Sequence, residues 1–289
     1  MNFSNEHYLG CFSNVMICIL LACIYVGSLY IWPNTHGRDH PSTIKRRFLS
    51  VFIISFFSAV VVYIFADRSY FGYDVSYWSL VGIQASGLLQ AIIIPLFLTM
   101  VLFLGPLSLH YNDGQYNTFF DFKVWIHCLT NVIWLRNHVI APIFEEFTFR
   151  ACMLPILVPC FGNKTSVILC PLFFGIAHLH LLNEKLARGA RPKVAILQSL
   201  FQLAYTTVFG AYSSFLFLRT GHFAAPSVAH AFCNHMGFPD FGQLLALDQP
   251  KQSIIMMCFV VGLFLWIILL KPLTDPELYG NSVYWPVML

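Results

Sequence analysis

The chain has 289 residues, of which 58% are apolar or aromatic and 10% are charged, and its formal net charge at pH 7 is +3. Soluble domains carry about 25% charged residues, so 16 Lys and Arg with 13 Asp and Glu are too few to cover a water-exposed surface of this size. The composition therefore excludes a soluble globular protein, a disordered chain and a nucleic-acid-binding protein, and it predicts a polytopic membrane protein.

Apolar stretches that are long enough to cross a bilayer, which takes about 20 residues, recur along the chain. They lie at residues 11–32, 48–66, 80–109, 139–160, 165–182, 194–219, 223–238 and 253–270. The third stretch contains Pro95 and Pro106, so we expect a tilted or kinked span there. We predict an all-α bundle of about eight transmembrane helices, which forms a single membrane domain over residues 1–289.

The segments between these stretches indicate the orientation of the bundle. Two loops are basic, and by the positive-inside rule both face the cytoplasm. Their cations are Arg38, Lys45, Arg46 and Arg47 in one loop and Lys185, Arg188, Arg191 and Lys193 in the other. The even number of spans between the two loops is consistent with this assignment. Between Lys123 and Arg136, Trp125 and Trp134 alternate with polar residues, which predicts an amphipathic helix at the membrane interface.

The nine cysteines do not indicate a disulfide framework. Their number is odd, most lie inside apolar stretches, and no CxxC pair occurs. We therefore expect them to act as small apolar side chains.

Ionisable residues inside the spans are costly and are functional candidates by default. Three groups of polar residues lie in the fourth, fifth and seventh stretches. They are Glu145, Glu146 and Arg150, then His178, then His230 and Asn234. With the orientation given above, all three groups fall at one level near the cytoplasmic side. We therefore expect them to form one site, in an intramembrane cavity open to that side.

Helix geometry predicts a role for the acidic residues. Glu146 and Arg150 are four residues apart, the spacing of an ion pair within a helix. Glu145 is rotated from Glu146 by about 100°, so Arg150 does not neutralise it in the same way. The desolvated Glu145 beside a second carboxylate is suited to act as a general base.

The histidines and the asparagine complete a hydrolytic site. His230 and Asn234 are also four residues apart, so an imidazole N–H and an amide N–H can converge on one oxyanion. His178 comes from another helix, where it can hold or protonate a water molecule beside Glu145. These groups suit the attack of water on an amide bond without a Ser or Cys nucleophile, and the sequence contains no GxSxG motif.

A zinc hydrolase is the main chemical alternative. The sequence has no HExxH motif, but Glu145, His178 and His230 remain open as a scattered ligand triad. We expect neither a metal nor a cofactor at this site.

At the three motifs the sequence resembles the type II CAAX prenyl endopeptidases. The pattern of that family is Glu-Glu-x-x-x-Arg, then Phe-x-x-x-His, then His-x-x-x-Asn, each on a membrane-embedded helix. Here the three motifs occupy residues 145–150, 174–178 and 230–234, in the same order. The resemblance covers residues 80–240, and the catalytic helices are those of residues 139–238.

The resemblance implies an activity and assigns the residues. The first Glu and the His of the second motif, here Glu145 and His178, activate water, while His230 and Asn234 stabilise the oxyanion. The expected enzyme is a glutamate-dependent protease that needs no metal. It removes the C-terminal tripeptide from farnesylated or geranylgeranylated proteins such as Ras-like small GTPases. It would lie in the endoplasmic reticulum membrane with its active site toward the cytosol.

Other functions remain open on the residues alone. A related membrane peptidase with unprenylated substrates would carry the same motifs. A proton-coupled transporter would use a buried Glu and His chain to relay protons, and a silent membrane scaffold would tolerate the loss of Glu145.

Overall fold

The computed structural model describes residues 3–33, 36–72, 74–114 and 121–285, with side chains from residue 10 onward, and these parts contain helices and no strand. In chain order the helices are α1 (Phe3–Ser28), α2 (Pro41–Phe65), α3 (Arg68–Phe71), α4 (Tyr77–Leu80), α5 (Leu88–Leu102), α6 (Leu104–Asn112), α7 (Phe122–Thr130), α8 (Val132–Leu135), α9 (Ala141–Glu146), α10 (Met153–Ala177), α11 (His180–Ala187), α12 (Pro192–Thr220), α13 (Ala224–Met236), α14 (Phe241–Leu245) and α15 (Lys251–Leu273). Two π-helical segments, Arg136–Ile140 and Phe147–Cys152, flank α9. The all-α class is confirmed.

Fewer helices than the expected eight are long and apolar enough to cross a membrane. Five stretches of the described chain qualify, or up to six if a bent pair counts as one span. One reason is that the 56 residues of Val132–Ala187 count as a single stretch, although they contain two of the expected spans. Gly162, with φ 67° and ψ 169°, breaks the helix between them. The other reason is that α13, at the expected seventh span, has 13 residues and is only about 20 Å long.

The third expected span is bent, as its prolines predict. α5 and α6 meet at an angle of 72°. Pro106 lies in the first turn of α6, where a missing backbone N–H costs little. Gly105 packs against the ring of Phe259 in α15, so the bend is held by a neighbouring helix.

The segment at residues 123–136 forms α7 and α8, in agreement with the predicted amphipathic helix. Asp121 caps α7 by accepting from the backbone N–H of Lys123 at 2.8 Å. The rings of Trp125 and Trp134 meet edge to face, with centroids 6.2 Å apart. This pair holds α7 against α8 just before the polar fourth stretch.

α10 and α12 pack closely because glycines lie at their contact. A Cβ on Gly210 would lie 2.8 Å from Arg150 Nη2 and 2.9 Å from Pro171 Cβ. A Cβ on Gly175 would collide with Thr207 Oγ1. Small residues let helix backbones approach in membranes, and here they bring α12 against the helices that carry the polar residues.

A disulfide between Cys11 and Cys160 corrects the expectation that the cysteines are only apolar side chains. Packing of α1 antiparallel to the first part of α10 brings together two residues that are 149 positions apart, with Cα atoms 5.5 Å from each other. The rings of Tyr25 and Phe149, 5.5 Å apart, mark the other end of this contact. The spacing of the cysteines in the sequence does not predict this pairing, because the pairing depends on how two distant helices pack.

The outer surface of the bundle is apolar. Large side chains of α15 are exposed, and they include Ile254, Met257, Val260, Phe264 and Ile267. α2 likewise exposes Phe52, Phe56 and Tyr63. Apolar faces of this extent are unfavourable in water and favourable in lipid, as the composition predicts.

Candidate active site

The Glu145–Glu146 pair lies at the C-terminal end of α9, between the two π-helical segments. Such segments are rare and occur frequently at functional sites. The second one, Phe147–Cys152, is completely buried from Thr148 onward and carries Arg150. The backbone around the acidic pair therefore departs from regular α-helix on both sides.

Glu146 and Arg150 form the ion pair that their spacing predicts. Arg150 Nη1 donates to Glu146 Oε1 at 3.1 Å, and both side chains are fully buried. The same oxygen lies 2.7 Å from His230 Nδ1. Since a carboxylate only accepts, Nδ1 of His230 carries the hydrogen and its Nε2 faces away from Glu146.

Glu145 lies on the other side of the His230 ring. Its Oε2 is 3.8 Å from His230 Nε2, and its side chain is 21% exposed. His230 therefore has a carboxylate near each ring nitrogen. Of the two acids, Glu146 is fully buried and paired, and Glu145 is the one left partly accessible.

His178 directly follows α10, and its orientation depends on Phe174 one turn earlier. His178 Nδ1 donates to the carbonyl oxygen of Phe174 at 2.8 Å, which leaves Nε2 with a free lone pair. The Phe174 ring lies 4.6 Å from the His178 ring and 6.1 Å from the His230 ring. The guanidinium carbon of Arg150 lies 4.3 Å above the same ring. Phe174 thus supports three polar residues of the site.

Asn234 is exposed and anchored by one hydrogen bond. Its Nδ2 donates to the carbonyl oxygen of Asn137 at 2.8 Å. An amide nitrogen has two hydrogens, so the second one remains for another acceptor. Asn137 belongs to the π-helical segment before α9, so this bond connects α13 to the chain that leads into Glu145.

A cavity of about 910 Å³ opens beside these residues. His178, His230 and Asn234 line it together with aromatic side chains that come mainly from α12, and also from α10, α15 and the loop after α13. Phe209 stands against the His230 ring, with centroids 4.9 Å apart. The lining is mainly apolar with a few convergent polar groups, which is the usual composition of a site for a small or extended ligand.

The structure thus brings the six predicted residues together from α9, the following π-helical segment, the end of α10, and α13. Sequence reasoning included Phe174 as a motif residue without a role, and it missed Asn137 and Phe209. Phe174 had a signal, since it precedes His178 by four residues and so lies beneath it on the helix. Asn137 and Phe209 reach the site only through the packing of distant segments.

The alternative of a metal triad gains no support from the geometry. Within the parts of the chain that the structure describes, no three His, Cys, Asp or Glu side chains are grouped so that they could hold a metal ion.

A second group of charges, which we call the loop network, lies around Arg136, at the start of the π-helical segment that precedes α9. It consists of Tyr30, Arg38, Asp39, Arg136, Glu184 and Arg188. Arg136 Nη1 donates to Asp39 at 2.8 Å, and Arg38 Nη1 donates to Glu184 at 3.2 Å. The network joins the loop after α1 to both the segment before α9 and the helix after His178.

Comparison with known proteins gives consistent matches. The sequence profile of the type II CAAX prenyl endopeptidases, described as Rce1-like, matches residues 127–236. The chain is 45% identical to CAAX prenyl protease 2 of Homo sapiens over 280 residues, which cover 94% of this chain and 84% of that protein. It is 33% identical to CAAX prenyl protease 2 of Arabidopsis thaliana over 296 residues, with 93% and 91% covered. The corresponding values for the protein of Rattus norvegicus are 40% over 279 residues, with 94% and 83% covered. No solved structure matches the chain.

Proposed function

The chain belongs to the type II CAAX prenyl endopeptidases and is a membrane protease of CAAX processing, and we propose that Glu145, His178, His230 and Asn234 carry out its reaction. The observation that carries this proposal is the apolar cavity into which His178, His230 and Asn234 converge, with Glu145 beside His230. Residues 139–238 thus form the catalytic part of a single membrane domain.

Glu145 and His178 prepare the water. His178 Nε2 accepts a hydrogen bond from one O–H of the water, which stays on the attacking oxygen, because the Nδ1–H of His178 is already bound to the Phe174 carbonyl. Glu145 takes the single proton that the water loses as its oxygen attacks the carbonyl carbon of the scissile amide. When the tetrahedral intermediate collapses and the C–N bond breaks, this proton passes to the leaving amine.

His230 and Asn234 stabilise the oxyanion of the intermediate. Asn234 donates its second amide hydrogen. His230 donates through Nε2, so in this step the ring carries hydrogens on both nitrogens, one of them bound to Glu146. Glu146 and Arg150 do not touch the substrate in this mechanism; they position His230.

The substrate follows from the CAAX motif. The prenyl group is attached to the Cys of C-terminal CAAX, so the enzyme cleaves the amide after the prenylated Cys and releases a tripeptide. The apolar lining of the cavity suits a farnesyl or geranylgeranyl chain. Ras-like small GTPases and similar prenylated proteins are the substrates we expect. The relatives are named as proteases, which favours peptide hydrolysis over the transporter alternative.

The reaction is tested with membranes that contain the protein and a farnesylated C-terminal peptide, with tripeptide release as the readout. Glu145→Gln, His178→Ala and His230→Ala should each abolish nearly all turnover, since a positioned acid–base group contributes about 10²–10⁴-fold. Glu277→Gln, an exposed acid near the C-terminus, is the control and should retain full activity. Unchanged turnover in Glu145→Gln would refute the mechanism, and equal cleavage of an unprenylated peptide would refute the proposed substrate class.

Two independent features support an active site that faces the cytosol from the endoplasmic reticulum membrane. The basic loops lie toward the end of the bundle where Glu145 and Glu146 lie, as the positive-inside rule requires. The Cys11–Cys160 disulfide lies at the opposite end of the α1–α10 contact, and disulfides persist in oxidising compartments such as the reticulum lumen.

The orientation is tested with an impermeant thiol reagent on sealed reticulum vesicles. Lys45→Cys, exposed near the start of α2, should be labelled in intact vesicles. Lys164→Cys, exposed and four residues after Cys160, should be labelled only after permeabilisation. The reverse pattern would place the active site in the lumen.

A further inference from the structure

Lys185 is a half-buried cation with neutral partners. It lies on α11, the short helix after His178, and its Nζ donates to Ser199 Oγ at 3.3 Å and to Gln202 Oε1 at 3.4 Å. The adjacent Glu184 pairs instead with Arg38 and Arg188. No ion pair found between described residues includes Lys185. Its ammonium group is therefore fixed in place with its charge uncompensated by a carboxylate.

Lys185 lies beside Gln202 of α12, and the distance from there to Phe209 matches the length of the leaving peptide. Gln202, which holds Lys185, precedes Phe209 by seven residues on α12, a distance of about 10 Å. Phe209 touches the ring of His230, 4.9 Å from centroid to centroid. Three extended residues also span about 10 Å. If the scissile carbonyl of a peptide lies at His230, the third residue after the scissile bond therefore reaches the level of Gln202.

The cavity runs along this path. Its lining on α12 extends from Phe209 through Thr206 to Phe201, which lies on the same turn as Gln202. Thr206 Oγ1 donates to the carbonyl oxygen of Gln202 at 2.7 Å, so the polar end of the path is ordered by the helix itself.

Two other cations near this path already have acidic partners, while Arg191 and Lys193 are exposed at the start of α12 and precede Gln202 by nine residues or more. Arg150 is buried and paired with Glu146, and Arg188 pairs with Glu184. An anion at the end of the path therefore meets Lys185 first, and the anion that every CAAX substrate carries beyond its scissile bond is its own C-terminal carboxylate.

We propose that Lys185, held by Ser199 and Gln202, binds the free α-carboxylate of the substrate and thereby sets the number of residues released. This assignment rests on the proposed function, because it needs the scissile carbonyl at His230 and Asn234. Lys185 is then a specificity residue. It binds the ground state and the transition state alike, so it acts on KM more than on kcat.

The first test compares two farnesylated peptides that differ only at the C-terminus, a free acid and a carboxamide. The wild-type protein should cleave the carboxamide with a KM about 10- to 100-fold higher, the loss expected for one charge-assisted hydrogen bond. Lys185→Met, which keeps the aliphatic stem, should raise KM for the acid by a similar factor and leave the carboxamide unchanged. Lys185→Arg should restore part of the preference for the acid, and exposed Lys193→Met should behave as wild type.

The second test varies the tail. The wild-type protein should prefer three residues after the prenylated Cys over two or four by a similar factor, and Lys185→Met should lose this preference. Equal losses on the acid and the carboxamide in Lys185→Met, or a wild-type protein that cleaves both alike, would overturn the assignment of Lys185 while leaving the protease mechanism intact. A wild-type protein that cleaves neither peptide would overturn the proposed function and this inference with it.

Discussion

Two groups of charges in this molecule are both built on Arg–carboxylate pairs, but they lie in opposite surroundings. The Glu146–Arg150–His230 group is buried, with Glu146 and Arg150 fully inaccessible. The loop network around Asp39 and Arg136 reaches the surface, where the Asp39 side chain is 58% exposed. The Arg136–Asp39 contact, at 2.8 Å, is the shorter of the two Arg–carboxylate pairs. Distance alone therefore says little about what each pair contributes.

The difference lies in what remains when one partner is removed. Water can solvate an orphaned charge in the loop network, so exposed pairs contribute about 0–1 kcal/mol. A charge left alone in the buried group has no such alternative, and loss of one partner costs about 3–5 kcal/mol. Glu146 Oε2 and Arg150 Nη2 already have no hydrogen-bond partner among the described residues. Loss of a further contact would therefore leave the buried charges with still less compensation.

The largest effect is expected for Arg150→Ala. It leaves Glu146 charged and buried and should lower the free energy of unfolding by about 3–5 kcal/mol, with nearly complete loss of activity because His230 loses its support. Thermal unfolding in detergent and peptide cleavage measure the two effects. The double variant Glu146→Gln with Arg150→Met removes both charges and should recover stability but not activity. An unfolding temperature for Arg150→Ala equal to that of wild type would contradict the contrast between the regions.

Asn234→Ala tests the link between the regions, since Asn234 contacts Asn137, the neighbour of Arg136. Removal of one oxyanion donor should lower kcat by about 10²–10³-fold with little change in KM. Because Asn234 is exposed, the unfolding temperature should stay near wild type. A large fall in stability with a small fall in kcat would assign Asn234 to structure instead.

Gly210→Ala probes how closely the buried group is packed. The new Cβ would lie 2.8 Å from Arg150 Nη2, and overpacking of this kind costs about 1–3 kcal/mol. The expected result is a lower unfolding temperature and reduced activity, because Arg150 shifts away from Phe174. Gly27→Ala in α1, where nothing lies within 4 Å of the new Cβ, is the matched control and should not destabilise. Equal effects of the two substitutions would mean that α12 has room to move.

Asp39→Asn should have the smallest effect. The loss of an exposed ion pair should change the free energy of unfolding by less than about 1 kcal/mol, and the difference should shrink in high salt. Because Arg136 donates to Asp39, the pKa of this carboxyl is lowered, so the pair stabilises above the ordinary pKa of Asp and the effect fades as the pH falls through the lowered value. Unfolding at two pH values and two salt concentrations checks this. A loss as large as that of Arg150→Ala would mean that exposure does not separate the two regions.

The grouping of the charged residues at the candidate site can be predicted from the sequence, whereas the residues that pack around them cannot. Glu145, Glu146 and Arg150 stand out because charges are scarce in apolar stretches and because a four-residue spacing specifies a helix face. The contributions of Gly210 and Asn137 depend on which distant segments pack together, and a one-dimensional pattern holds no information on that. The number of helices that are long enough to span differs from the expected eight for a related reason, since hydropathy counts apolar windows and does not register that α13 is short or that Gly162 interrupts a long helical stretch.

The Cys11–Cys160 bond has a consequence for how the chain is made. Its two cysteines are separated by 149 positions. At about 5–20 residues per second, the ribosome therefore adds Cys160 roughly 7–30 s after Cys11. During that interval α1 is already synthesised, while the helix against which it packs does not yet exist. Cys11 therefore waits for its partner through this whole interval, and the bond closes only after the middle of the chain has been made and has packed against α1.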